Sequence, residues 1–297
     1  VKNTIAQIFS SILLASLLLT GATANAAIPS SKTIVSRMAK NNGRGVYVIE
    51  QEIQFLNATE GSNLIKERWI IQNAEVMRLI ATGSGIRWDA LYRDGRRLAS
   101  VNDAASAETK ASNISHEFLE PFLYIRSSAK FFDYFIKNKI LPPSAAKPTA
   151  RIANIGTYKP VPEAAVRLGR EGGAIAWVFG EPTPVGSAIQ YPGAWIEQDA
   201  FLLRKIRLPQ QTEMTMSAHA PAGSGFKLPR ERTITWRPSD KSIDAVWSAT
   251  VKVLSAKSFA EGSLAPQLQG GSITPAEAKM AHLPNDPVVK DFYARFR

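Results

Sequence analysis

Few residues of this chain have a type and spacing that could perform chemistry. The sequence has three histidines and no cysteine, which excludes disulfides, thiolate metal sites and a cysteine nucleophile. Residues 116–120 read His-Glu-Phe-Leu-Glu and resemble half of a zinc-protease motif. That motif requires two histidines on one helix face, and Glu120 stands where the second one would be. We therefore expect no metal site and interpret His116 as a polar residue in the first turn of a helix.

Pairs of carboxylates at positions i and i+2 are a second candidate for chemistry. Glu50 with Glu52, and Glu197 with Asp199, each share one face of a predicted strand. Two carboxylates can hydrolyse glycosides, so an enzyme is one alternative. Both pairs lie opposite apolar residues, as solvated strand faces do, and the sequence has no Gly-x-Ser-x-Gly elbow and no glycine-rich phosphate loop. We therefore expect a non-catalytic protein without a cofactor.

Residues 1–26 have the layout of a secretory signal peptide. Lys2 forms a small positive region, residues 5–19 are mostly apolar, and small residues up to Ala26 form a cleavage site. A membrane-spanning helix needs about 20 continuous apolar residues, so a retained anchor is the weaker alternative. We expect cleavage after Ala26 and a mature protein of residues 27–297 in an extracytoplasmic space.

The composition is that of a globular, strongly basic protein. Hydrophobic residues make up 45% and charged residues 21% of the chain, and the formal net charge is +11. The Lys and Arg residues are scattered and form no dense block, so we expect no nucleic-acid binding. Peripheral contact with anionic membrane surfaces and a merely solvated basic surface are both open explanations.

Alternating apolar and polar residues predict an antiparallel meander in the first half of the chain. A short helix is expected before it, at residues 33–39. Asp94-Gly95 is a hairpin turn signal. Residues 102–113 are rich in Ala, Ser, Asn and Thr and are predicted to form a loop. The predicted strands of this half are 45–56, 64–72, 75–82, 86–92 and 97–101.

The apolar spacing changes to a helical period at residues 115–139. Pro121 is expected to divide a short helix from a longer one, with Phe122, Ile125, Ala129, Phe132 and Ile136 on its apolar side. After this insert, strands are predicted at 164–170, 174–180, 194–199, 201–208, 212–219, 231–237 and 243–254.

The tail, residues 258–297, changes character again. Thr274-Pro275-Ala276-Glu277 is a capping box that opens a predicted helix to about His282. Asp286-Pro287 starts a predicted terminal helix. Packing of these helices on the sheet is the simplest expectation, and contact with a partner protein is the alternative.

The order of these elements resembles the LolA/LolB-like superfamily of periplasmic lipoprotein carriers, which also includes RseB-like sensor domains. The resemblance covers about residues 33–256 and lies in pattern and strand order. The segments on which the resemblance rests are Val46–Ile53, Glu67–Ile71, Val76–Leu79, Ala194–Glu197, Leu203–Ile206 and Lys227–Arg232. It implies a half-open antiparallel β-barrel whose apolar interior binds acyl chains, with residues 115–139 as a helical lid. Carriers of this kind take lipoproteins from an inner-membrane transporter to an outer-membrane acceptor.

Alternation and this resemblance together predict a mainly β fold, a curved half-open barrel of about 11–12 strands. We expect three parts: the signal peptide 1–26, the half-barrel domain 27–257 and the helical tail 258–297. A packed core without a cavity is the alternative for the apolar face. The predicted cavity and lid residues are Tyr47, Ile49, Trp69, Met77, Leu79, Phe122, Phe132 and Trp177.

The predicted function is a soluble carrier of lipoproteins or other acylated lipids. An envelope sensor or assembly factor that binds protein partners, with the tail as a candidate contact, is the main alternative. A protein whose strands span the outer membrane is a third alternative, disfavoured because residues 292–297 are predicted to be helical.

Overall fold

A single antiparallel sheet of thirteen strands dominates the described part of the chain. The computed structural model describes residues 28–83, 86–101, 104–111, 114, 118–146, 166–240, 244–269 and 284–297. The first run of strands is β1 (Val46–Phe55), β2 (Leu64–Ile71), β3 (Met77–Gly83), β4 (Ile86–Arg93), β5 (Arg96–Val101) and β6 (Ala104–Ala111). The second run is β7 (Arg167–Glu171), β8 (Ala174–Phe179), β9 (Gly193–Glu197), β10 (Leu203–Leu208), β11 (Thr212–Pro221), β12 (Lys227–Trp236) and β13 (Trp247–Phe259).

Neighbours in sequence are neighbours in the sheet, with one exception. The strand order is β6-β5-β4-β3-β2-β1-β13-β12-β11-β10-β9-β8-β7, so β1 pairs with β13 in the middle of the sheet. Their register runs from Val46 opposite Phe259 to Phe55 opposite Ala249, with an irregularity at Glu50 and Gln51. The edge strands β6 and β7 do not pair with each other, so the sheet is open. The predicted half-open antiparallel fold is confirmed, with thirteen strands in place of 11–12.

Four α-helices accompany the sheet in the described residues. They are α1 (Ser31–Lys40), α2 (Pro121–Tyr124), α3 (Ser128–Lys137) and α4 (Pro287–Phe296). Short 3-10 turns lie at Pro143–Ala146 and Ala265–Leu268. Ser30 caps α1 and Ser127 caps α3, each accepting a hydrogen bond from a backbone N–H of the first turn. Caps of this kind set where each helix begins.

The two faces of the sheet carry separate hydrophobic clusters. On the face that we call the inner face, Ile49, Trp69 and Leu79 stand opposite one another on β1, β2 and β3. The four α-helices all contribute buried residues to the cluster on this face. The smaller outer cluster is covered by Leu268 of the second 3-10 turn and contains Val46, Val48, Ile70 and Leu91.

Three local predictions need correction. Residues 104–111 form strand β6, although 102–113 were predicted to be a loop, because hydrogen bonding to β5 recruits a segment of low strand propensity. The break expected at Pro121 lies instead at Ile125, because Pro121 is in the first turn of the short α2 and an extended Ile125 separates α2 from the longer α3; Ala129 of α3 is exposed. The last strand begins at Trp247, later than predicted, and continues to Phe259 because that end pairs with β1.

Other predictions concern residues outside the described ranges. These are the signal peptide at residues 1–26, the helix expected at 274–282, Ile243 of the last predicted strand and most of the His116 motif.

Candidate ligand-binding face

All eight residues predicted to line a cavity lie in the inner cluster. They are between 0% and 9% exposed, and they belong to one continuous set of contacting side chains. Tyr47, Ile49, Trp69, Met77 and Leu79 come from the adjacent strands β1, β2 and β3. Trp177 lies on β8 near the other edge of the sheet, and Phe122 and Phe132 come from helices α2 and α3.

Helices α2 and α3 cover part of the inner face with aromatic side chains. Phe118, just before α2, lies with its ring 5.1 Å from that of Trp69 and 4.8 Å from that of Tyr92. Phe135 of α3 contacts Phe179 of β8 at 6.0 Å between ring centroids. Strands from both runs, β2 and β4 in the first and β8 in the second, therefore pack their inner face against the same short helical segment.

The link between α2 and α3 carries a half-buried guanidinium. Arg126 lies over the rings of Tyr47, at 4.7 Å, and Phe226, at 5.8 Å. It also donates a hydrogen bond to the carbonyl of Asn42. Burial lowers the pKa of Arg126 to about 10, partly offset by Tyr47, so it remains a cation at neutral pH. These contacts fasten the link to one end of the sheet.

Beside α3, an open cleft of about 300 Å³ lies between this helix and the turn from β2 to β3. An ion pair between Lys130 and Glu75, at 3.2 Å, spans it at the surface. Both apolar and charged side chains line the cleft, including Ile125, Tyr134 and Lys137.

Helix α4 covers a second part of the inner face. Asp286 caps it by accepting hydrogen bonds from the N–H groups of Val288, at 2.9 Å, and Val289, at 3.4 Å, and Pro287 occupies the first helical position. Its apolar stripe is buried and consists of Val288, Val289, Phe292, Tyr293 and Phe296. Phe292 contacts Phe55 of β1 and Trp236 of β12, at 5.1 and 5.4 Å.

Arg297 follows α4 and lies between two carboxylates, Glu67 and Glu120, and all three side chains are 0% exposed. Its Nε donates to Oε1 of Glu67 at 3.0 Å. Its Nη1 and Nη2 each donate to one oxygen of Glu120 at 3.1 Å, a bidentate arrangement. The guanidinium also lies 4.7 Å from the centre of the Trp69 ring. We call Glu67, Glu120 and Arg297 the Arg297 cluster.

Glu67 is held in its ionised form by several donors. Burial alone would raise the pKa of its carboxyl, but the Arg297 charge and hydrogen bonds outweigh burial, so this pKa lies below its usual value. The hydroxyl of Tyr293 and the indole N–H of Trp69 each donate to Glu67 at 2.8 Å. The side-chain amide of Gln51 donates at 2.7 Å.

A second buried guanidinium lies next to this cluster. Arg232 is 2% exposed and donates through Nη2 to the side-chain oxygen of Gln51, the same residue whose amide nitrogen donates to Glu67. The Nε of Arg232 has no hydrogen-bond partner. Among Glu67, Glu120, Arg297 and Arg232, two carboxylates balance two guanidiniums. The buried Arg97 also donates through Nη1 to the backbone oxygen of Arg297 at 3.2 Å.

The polar part of the site was not predicted from the sequence. Glu67 shares the strand face of Ile65, Trp69 and Ile71, so its position in the alternation was the available signal. Glu120 was considered only as a departure from a metal motif. For Arg297, local sequence contains no signal, because its partners lie far away in the chain.

The described residues contain no group of three or more His, Asp or Glu side chains placed to bind a metal ion. None of the helices in the described ranges is long and apolar enough to cross a membrane. The arrangement as it stands is suited to enclosing apolar groups next to a buried ionic cluster.

No protein-family model and no curated protein matches the sequence. Among solved structures, the chain is similar to a LolA superfamily protein from Nitrosomonas europaea, with 8% identity, a TM-score of 0.47 and coverage of 78% of this chain and 94% of that one.

Two further structures are similar to it. One is a domain named for outer membrane lipoprotein sorting from Vibrio parahaemolyticus, with 10% identity, a TM-score of 0.41 and coverage of 76% and 91%. The other is a DUF1329 family protein from Desulfovibrio piger, with 10% identity, a TM-score of 0.44 and coverage of 80% and 97%. A LolA superfamily protein is thus among the structures that this chain resembles.

Proposed function

We propose that this chain is a binding or carrier protein for lipoproteins or other acylated lipids, and that it holds acyl chains between the inner face and helices α2 and α3. One observation carries the proposal. The inner face of an open sheet of thirteen strands is lined by buried apolar side chains and is covered by short helices. Burial of each methylene contributes about 0.8 kcal/mol. An acyl chain of ordinary length therefore gains roughly 10 kcal/mol, which can offset the separation of a small helix from the sheet.

The helical cover is built in a way that suits movement of α3. The extended Ile125–Arg126 link separates α2 from α3. The cleft beside α3 leaves Lys130, Asp133 and Lys137 of this helix in contact with solvent. Rotation about the link would widen this cleft and bring Phe132 and Leu79 into contact with a ligand.

Location and partners complete the proposal. Residues 1–26 would direct the chain to the periplasm. There, an inner-membrane transporter would supply the cargo and an outer-membrane acceptor would receive it. Removal of Lys2 with residues 1–26 lowers the formal net charge from +11 to about +10, which favours peripheral contact with anionic lipid surfaces.

The test is ligand uptake by the mature protein, residues 27–297, purified from a periplasm without detergent. Native mass spectrometry would detect co-purified lipid, and a dansyl-labelled fatty acid would report uptake in solution. Phe132→Glu places a charge on the buried side of α3 and should weaken uptake at least tenfold. Ala129→Glu on the exposed side of the same helix is the matched control and should bind like the unchanged protein.

A protein that carries no lipid and refuses the labelled fatty acid would contradict the proposal. The inner cluster would then be an ordinary packed core. The sensor or assembly factor that binds protein partners would become the better explanation.

A further inference from the structure

Helix α4 occupies the same inner face that the proposed function assigns to acyl chains. Its aromatic residues contact strands on both sides of the β1–β13 pair. The ring centroids of Tyr293 and Trp88 of β4 are 5.8 Å apart, and those of Phe296 and Trp236 of β12 are 6.0 Å apart. Beside them, Arg297 reaches the Trp69 ring, one of the predicted ligand contacts. An acyl chain and α4 therefore cannot both fill this part of the inner face.

The attachment of α4 to the sheet is made by side chains. The backbone-to-backbone hydrogen bonds described for residues 284–297 stay within that segment. The polar contacts to the sheet side run through side chains. Thr59 donates to Asp286 at 2.8 Å, and Trp236 donates to Asp291 at 2.9 Å. Release of α4 would consequently break no strand pairing.

The strongest polar attachment is the Arg297 cluster, which is fully buried. A buried ion pair contributes little net stability compared with apolar side chains of similar size, because desolvation opposes the attraction. Such a pair does fix one specific arrangement, since either partner left alone is costly. Release of α4 withdraws Arg297 and leaves Glu67 and Glu120 behind, so the cluster opposes that release and holds α4 in one arrangement.

Arg232 lowers the electrostatic cost of the state in which α4 has left the sheet. Gln51 connects it to Glu67, and its Nε has no partner. When Arg297 leaves, this second guanidinium remains beside the carboxylates. Its charge offsets that of one of the two carboxylates and so lowers the electrostatic cost of opening.

We infer that α4 is an intramolecular occupant of the ligand site, fastened by the Arg297 cluster, and that acyl ligands bind by displacing it. The inference rests on the proposed function, because it concerns regulation of the same face. It makes uptake a competition in which the apparent affinity equals the intrinsic affinity multiplied by the fraction of molecules with α4 released.

A reversible covalent tether tests the competition directly. The chain has no cysteine, so Ser239→Cys with Asp291→Cys creates a unique pair where the Ser239 N–H now donates to Asp291 at 3.1 Å. The oxidised protein should take up the dansyl-labelled fatty acid at least tenfold more weakly than the same protein after reduction. The reduced sample is the matched control, because its sequence is identical.

A second variant loosens α4 without leaving unpaired charges. Glu120→Gln with Arg297→Met, which we call the double variant, removes one carboxylate and one guanidinium and leaves Glu67 connected to Arg232 through Gln51. It should strengthen uptake at least tenfold over the unchanged protein. Equal uptake by the oxidised and reduced tethered proteins would overturn the inference and leave the proposed function standing. Absence of uptake by the reduced tethered protein, the double variant and the unchanged protein alike would overturn both.

Discussion

Replacement of Arg297 by methionine should strongly destabilise the fold, because it leaves Glu67 and Glu120 buried without their counter-ion. The guanidinium makes contacts of 3.0 and 3.1 Å to these carboxylates, and neither carboxylate is exposed to water. Removal of one partner from a buried ion pair costs about 3–5 kcal/mol. For a chain of this size, that loss lowers the midpoint of thermal unfolding by about 6–15 °C.

Tryptophan fluorescence is a suitable assay, because Trp69 lies against the Arg297 guanidinium. Arg297→Lys is the first control: it keeps the charge but cannot bridge both carboxylates in a bidentate manner, and it should lose about 1–3 kcal/mol. The double variant, Glu120→Gln with Arg297→Met, is the second control: it keeps Glu67 with Arg232 and should stay within about 2 kcal/mol of the unchanged protein.

The reasoning would be refuted by either of two results. One is a loss below about 1 kcal/mol in Arg297→Met, which would mean that the carboxylates find other partners or water. The other is a double variant as unstable as the single one, because packing of the arginine stem would then account for the whole effect.

Two further predictions concern residues away from α4. Gly43 has a φ of +66°, and a Cβ there would lie 2.0 Å from the Tyr47 hydroxyl. Gly43→Ala should therefore lower the free energy of unfolding, measured in urea, by more than about 3 kcal/mol. Gly61→Ala is the control and should cost about a third as much, because φ there is +84° but the space is open. Burial and the neighbouring Arg204 lower the pKa of His219 from 6.5 to about 4. The unfolded chain therefore binds this proton first, and stability should fall by roughly 2 kcal/mol as the pH drops from 6.5 to 4. His219→Gln should remove that part of the pH dependence, and an unchanged curve would contradict it.

Strand positions could be predicted because alternation is a local signal. The inward apolar residues of β1 and β3 follow the two-residue period, and the structure places each of them in the inner cluster. Strand β6 reads Ala-Ala-Ser-Ala-Glu-Thr-Lys-Ala, which lacks the branched and aromatic residues that mark strands. Its conformation depends on β5, so a local reading missed it.

The candidate site was predictable in its apolar part alone. Alternation identifies which side chains point inward, but it does not say whether a helix, a ligand or solvent meets them. The apolar stripe of α4 was visible in the sequence, while its place under the β1–β13 pair depends on contacts such as Phe292 with Phe55. Glu67 and Arg297 come together only after the whole sheet has formed.

The pairing of β1 with β13 has a consequence for how the chain assembles. Strands β1 to β6 and strands β7 to β13 each form by local hairpins, which assemble rapidly. Joining the two runs requires closure of a loop that spans most of the chain, and that step carries a large entropic cost. Until this seam closes, β1 and β13 present unpaired edges with apolar faces, the state most prone to aggregation. The chain is therefore most prone to aggregation after the two runs have formed and before β1 pairs with β13.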